Sequence, residues 1–267
     1  MNILKNSFSI MSTYVPLLSP NSRIIFRQLF EKETSTYTYL LGDRKSKEAI
    51  IIDPVYETVE RDVKLINELG LDLKKILNTH IHADHVTGSG KLKKIFPGSM
   101  SCLSAICNAV ADIQLKHDDK IHFGEFSLTV KATPGHTDGC LTYICYAAGC
   151  AFTGDAVLIR GCGRTDFQSG DPATLYDKVH SEVLSLPEEF IIFPAHDYTG
   201  KMLTTVKEEK QFNPRQVSKI LNLLSSKEEF KTIMNNLNLS NPKKIDQAVP
   251  LNMKCGIFEE GGSGDKM

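Results

Sequence analysis

Six consecutive positions in "NTHIHADHVTGSG" carry His80, His82, Asp84 and His85. Burying that many imidazole and carboxylate groups together without a metal costs roughly several kcal/mol in unpaired polar and charged atoms. The cluster has company further along the chain. His136 follows the turn "TPG", Asp155 follows "FTG", and His196 follows "IFPA". Four separate segments thus deliver ligand-type side chains. Neutral imidazole with carboxylate suits zinc, iron, manganese or nickel, and no cysteine stands among them, which argues against a purely structural zinc site. A catalytic metal on such a set keeps open positions for water, substrate or oxygen. Taken singly, Asp155 could cap a helix and His136 could close a turn; taken together those alternatives lose force. His117, His122 and His180 lack such neighbours and read as ordinary hydrogen-bonded histidines.

The elements that must position these residues are strands. "TYTYLLGD" alternates into a Gly42-Asp43 turn and "EAIIID" follows, which predicts a hairpin. "KKILNTH", "FSLTVKATPGH", "LTYICYA" with "CAFTGD", and "EFIIFPAH" are further runs of strand length, several of them ending in a potential ligand. Between and after them lie helices. Val59, Val63, Ile66 and Leu69 fall at helical spacing before Gly70, a C-cap residue. Asp171-Pro172 is an N-cap with an N1 proline and opens a helix to about Leu186. Ser226 to Glu229 spells a capping box. Strands interleaved with helices, with polar groups just beyond strand ends, predict an α/β fold with a site at one rim.

Composition bounds the partners. The 267 residues hold 31 Lys+Arg against 32 Asp+Glu, a formal charge of -1, so no global field draws the protein to nucleic acid or to an anionic membrane. No apolar run approaches the length of a spanning helix. Seven cysteines at irregular spacing, without a CxxC pair, argue against a disulfide framework and fit a reducing compartment. Cys140, Cys145 and Cys150 read as core residues whose odd spacing puts neighbours on opposite strand faces. The first thirty residues contain Lys5, Arg23 and Arg27 and no acid, compatible with a mitochondrial transit segment or a short disordered extension. The expected organisation is a transit or disordered segment over 1–22, one catalytic domain over 23–255 with a short helical C-terminal part, and a flexible tail over 256–267.

"THIHADH" with the distant His136, Asp155 and His196 resembles the metallo-β-lactamase superfamily, from about Ile24 to Tyr198. That resemblance implies an αββα sandwich, two mixed β-sheets flanked by helices, with the metal at the rim between the sheets. The family pattern offers ligands for two metals: His80, His82 and His136 for one, Asp84, His85 and His196 for the other, Asp155 between them. Two activities compete on it, binuclear hydrolysis of glutathione thioesters (glyoxalase II type, two Zn or Fe) and mononuclear iron oxidation of glutathione persulfide by O2. The runs "AFTGDAVLIRGCGRTDFQSG", "PAHDY" and "NLNLSNPKKIDQAVPLNMKCG" resemble the persulfide dioxygenase branch over nearly the whole chain.

This resemblance implies one Fe(II) per chain on His80, His136 and Asp155, with His82, Asp84, His85 and His196 orienting ligands and waters. It implies a location in the mitochondrial matrix, with the cytoplasm as the alternative; composition adds the expectation of no membrane or nucleic-acid partner, and a second copy of the chain is a candidate partner. Arg164 is a candidate clamp for a substrate carboxylate, or else an ion-pair partner of Asp166. Tyr198 is a candidate for positioning substrate. Cys162 is either a thiol close to the metal or a small buried residue in a glycine turn. Asp138 stands where relatives more often carry proline, and reads as a solvated turn residue.

Overall fold

The computed structural model describes residues 14–19, 21–216 and 226–258. Among these the chain forms two six-stranded sheets. The first contains β1 (Ile24–Glu31), β2 (Thr36–Asp43), β3 (Glu48–Ile52), β4 (Asp72–Leu77), β5 (Met100–Ser104) and β6 (Ile113–Leu115), paired in chain order. β1 to β3 run antiparallel, and β3 to β6 run parallel. The second contains β7 (Lys120–Phe123), β8 (Phe126–Ala132), β9 (Leu141–Cys145), β10 (Cys150–Gly154), β11 (Ile191–Pro194) and β12 (Thr204–Thr205), also in chain order. Only its β10–β11 pairing is parallel.

Strand alternation divides the side chains between three apolar layers. Tyr37, Tyr39 and Leu41 of β2, Ile50 and Ile52 of β3, Tyr143 and Cys145 of β9, and Phe152 of β10 meet between the sheets. Leu40 and Ile51 face the opposite way, packing on Val59 and Ile66 of α1 (Val59–Glu68) and Leu92 of α2 (Ser89–Ile95). On the other outer face Ile144, Ala151 and Ile192 pack on Leu175 of α3 (Pro172–Lys178), Val206 of α4 (Val206–Phe212) and Phe230 of α5 (Lys227–Asn235). The layers are helix, sheet, sheet, helix, the expected αββα sandwich. A sixth helix, α6 (Ile245–Asn252), closes the described chain.

The local signals for helices hold. Asp171 accepts from Thr174 N with Pro172 at N1, and Ser226 with Glu229 forms the reciprocal capping box. The helix opened at Asp171 continues past Lys178 as a π-helical turn, Val179–Val183. Three expectations need correction. Gly42 and Asp43 are not a turn: Gly42 pairs with both Ile25 and Ala49, and the chain reverses at 44–47, because β1, unread in the sequence, gives β2 a second neighbour. Cys145 and Cys150 are not on opposite faces but directly across from each other, since the turn Tyr146–Gly149 resets the alternation. Both segments thought to be loose begin or end in packed structure. Val15 N donates to Ala147 O, Leu17 is buried, and Phe258 lies edge-on to Tyr56 at 4.9 Å. The rest of those segments, 1–13, 20 and 259–267, lies outside the described residues.

Candidate metal centre

Five strands end at one rim, and each is followed by a site residue: Asp53 after β3, His80 after β4, His136 after β8, Asp155 after β10 and His196 after β11. Strands fix the direction of approach, and the loops free the side chains. The structure brings all seven sequence-selected ligand candidates together in two adjacent sets. His80, His136 and Asp155 each offer one ligand atom within 4.8 Å of the others, and so do His82, Asp84, His85 and His196.

Hydrogen bonds on the far side of each ring decide which nitrogen faces the centre. His136 Nδ1 lies 2.7 Å from Arg164 O, so it donates there and presents Nε2, which is 3.6 Å from Asp155 Oδ2. His80 Nδ1 lies 3.0 Å from Thr79 Oγ1, and that hydroxyl donates onward to Asp53 Oδ2 at 2.9 Å. Asp53 Oδ1 accepts from Thr79 N at 2.7 Å and from His82 Nε2 at 3.0 Å. Asp53 therefore anchors the loop that carries the histidines. The sequence reading passed over it, although "IIIDP" has the same strand-end acid as "FTGD".

The second set is knitted through carboxylates. His196 sits between Asp155 Oδ1 at 2.7 Å and Asp84 Oδ2 at 2.9 Å, and Asp84 Oδ2 also meets His85 Nδ1 at 3.0 Å. Burial opposes charging His196, but the two carboxylates together hold it well above the usual histidine range. Burial likewise opposes ionising Asp155, and His196, then His136 and His80, reverse this and hold its carboxyl low. His80 is the opposite case: burial first, then neighbouring His82, keeps it well below its usual range and neutral. A neutral imidazole and an ionised carboxylate are the forms a metal requires. Two buried nitrogens, His82 Nδ1 and His85 Nε2, have no hydrogen-bond partner. Unpartnered buried ring nitrogens inside an all-His/Asp set fit a divalent cation of borderline character.

The other candidates separate. Arg164 takes the ion-pair alternative: Nε and Nη2 bind the Asp166 carboxylate at 2.6 Å each, and Nη1 and Nη2 reach Ser240 O and Leu239 O. It braces the loop whose carbonyl orients His136. Cys162 is 2% exposed, with its sulfur 3.6 Å from Met234 Sδ, and burial pushes its thiol up despite nearby Arg215, so it is a packed residue in the outer core. Gly163 beside it is needed for close approach, because a Cβ there would lie 2.7 Å from both His136 Cγ and Asp155 O. Tyr198 is 71% exposed, its ring parallel to that of His196 at 6.1 Å, so it covers that ring on the solvent side. Asp138 is exposed, as expected.

Fold and site together define a class. The metallo-beta-lactamase superfamily pattern matches residues 32–99 and 108–196, and the chain belongs to that superfamily. Within it, the chain is 53% identical to the mitochondrial persulfide dioxygenase ETHE1 of Homo sapiens, over 88% of this chain and 89% of that one. A crystal structure of ETHE1 from Myxococcus xanthus superposes with a TM-score of 0.81 at 46% identity, covering 87% of this chain and 100% of the other. The hydroxyacylglutathione hydrolase of Thermosynechococcus vestitus is more distant, 34% identical over 68% of this chain and 71% of its own. Among the described residues no helix is long and apolar enough to cross a membrane.

Proposed function

We propose that the protein is a persulfide dioxygenase, converting glutathione persulfide, O2 and water to glutathione and sulfite in hydrogen sulfide catabolism, with one non-haem Fe(II) held by His80, His136 and Asp155. The observation that carries this reading is the 53% identity to a named persulfide dioxygenase across 88% of the chain, a span that includes the metal rim. The hydrolase likeness is both weaker and shorter. Two imidazoles and a carboxylate would hold an iron while leaving it open to water, substrate and oxygen. When bound, the iron supplies a place where O2 and a soft sulfur anion are activated side by side.

The chain's own groups do the positioning. Arg164 O and Thr79 Oγ1 hold the Nδ1 protons of His136 and His80, so both rings keep Nε2 for the metal. Asp155 keeps its negative charge through His196, which donates to Oδ1 and leaves Oδ2 toward His136. His196, bonded through both nitrogens to Asp155 and Asp84, is a hydrogen-bonding partner rather than an iron ligand in this reading. Bridging both carboxylates, it fixes Asp155 and Asp84 relative to each other behind the iron ligands, with Tyr198 on its solvent side. The mitochondrial names of the relatives support a location in the mitochondrial matrix.

A second reading, two metals and thioester hydrolysis, is favoured by the unpartnered His82 Nδ1 and His85 Nε2 in the second set. Oxygen uptake distinguishes the two. Freshly made glutathione persulfide added to the iron-loaded protein should consume O2 with matching sulfite formation. Hydrolysis of a glutathione thioester with no oxygen uptake would establish the hydrolase instead.

A further inference from the structure

The loop from Asn78 to Thr87 is neither helix nor strand, so its backbone groups need partners from elsewhere. A large share of them come from one side chain about 170 positions away. Asn252 Nδ2 donates to His82 O and to His85 O, both at 2.9 Å, and Asn252 Oδ1 accepts from Thr87 N at 2.8 Å. Two carbonyls three residues apart thus converge on a single amide nitrogen. We propose that Asn252 is a positioning residue for the metal, its carboxamide setting the curve of the His82–Thr87 backbone that brings Asp84 and His85 beside His196.

The carboxamide is itself immobilised. Asn252 is the last residue of α6 and 4% exposed. The turn after it is stitched to the same region, with Val110 N donating to Met253 O and Gly90 N to Cys255 O. Gly256 has φ +70, and a Cβ there would lie 2.2 Å from Thr87 O, so the two backbones pack without a side chain between them. Asparagine is also the residue this arrangement demands. A carboxylate cannot donate to two carbonyls, a leucine makes none of the three bonds, and a glutamine carries one methylene too many for a closed site. The C-terminal end of α6 thereby backs the loop that carries His82, Asp84 and His85.

This inference rests on the metal-centre reading above, and its test separates the two. The probe is Co(II) titrated into metal-free full-length protein, read by visible absorption, with amide hydrogen exchange at Thr87 measured in parallel. Asn252→Asp should weaken Co(II) about 10-fold, because a displaced Asp84 loosens its hold on His196, the partner behind the ligand Asp155. It should also alter the cobalt spectrum and speed exchange at Thr87. Ile66→Ala, in the outer core under α1 on the opposite face, serves as the control for general destabilisation and should leave the spectrum unchanged. Should Asn252→Asp not fold, Asn252→Ser, whose hydroxyl can replace only part of the set, is measured the same way. A folded variant with wild-type Co(II) affinity and spectrum overturns the proposal. If the parent protein binds no Co(II), the metal reading fails by itself, and Thr87 exchange still decides this one: unchanged protection in the variant overturns it.

Discussion

Asp53→Asn is the substitution that most cleanly separates orientation of the ligands from ligation itself. Asp53 touches no metal position, yet its carboxylate accepts from Thr79 N, Thr79 Oγ1 and His82 Nε2 at 2.7, 2.9 and 3.0 Å, and it is 1% exposed. Its φ of +50 is tolerated by asparagine, so the backbone is not disturbed. The cheaper orientation of the new amide keeps oxygen on Thr79 N and His82 and puts NH2 against the Thr79 hydroxyl. That hydroxyl then loses its acceptor, and the chain from His80 Nδ1 through Thr79 to Asp53 is broken. Hydrogen bonds to a charged acceptor contribute about 1.5–3 kcal/mol each and neutral ones about 1. Losing one and weakening two therefore costs roughly 2–4 kcal/mol of stability. Iron affinity should fall about 10- to 100-fold through the looser His80 and His82. The assays are thermal unfolding of the metal-free protein and iron content after dialysis against a graded chelator. A variant with parental stability and parental iron retention would refute the claim that Asp53 sets the ring orientations.

Other consequences are equally open to measurement. Gly163→Ala places a methyl against the His136 ring and the Asp155 carbonyl, so the purified variant should hold well under half the parental metal; full occupancy counts against the close approach. Arg164→Gln removes a brace rather than a clamp: thermal stability should drop by about 1–3 kcal/mol while KM for glutathione persulfide stays within about twofold. A tenfold rise in KM would restore the clamp. Asp62, buried on α1 with Oδ2 unpartnered, has its carboxyl pushed up to about 6 by burial against the help of Arg61. The folded state thus holds this proton more tightly than the unfolded state does, so stability falls as pH rises from about 4 to about 6, by of order 3 kcal/mol at most. Asp62→Asn should remove that slope, seen as unfolding curves that converge at low pH; parallel curves from pH 4 to 8 would contradict it.

The chemistry was more legible in the sequence than the scaffold around it. The ligand candidates could be read because a metal centre concentrates rare residue types at strand ends, and all seven meet at the rim. Helix starts were legible for a similar reason, since Asp171, Pro172, Ser226 and Glu229 satisfy local backbone groups. What escaped depends on distant partners. β1 shows itself only through its pairing with β2, and without it Gly42 looks like a turn. Cys145 and Cys150 face each other because a turn intervenes, which alternation alone does not register. Asn252 carries no chemical signature; it is one asparagine among many until the His82 and His85 carbonyls are found on it. Arg164 had two readings in the sequence, and its nearest acid, Asp166, took it.

The most direct test of a one-iron centre on His80, His136 and Asp155 is an anaerobic titration of Fe(II) into metal-free protein, with oxygen uptake on glutathione persulfide recorded at each step. Uptake should rise linearly and stop at one equivalent per chain, with sulfite in proportion, and Asp155→Ala should abolish it. A plateau at two equivalents, or thioester hydrolysis in place of oxygen uptake, would contradict the mononuclear dioxygenase.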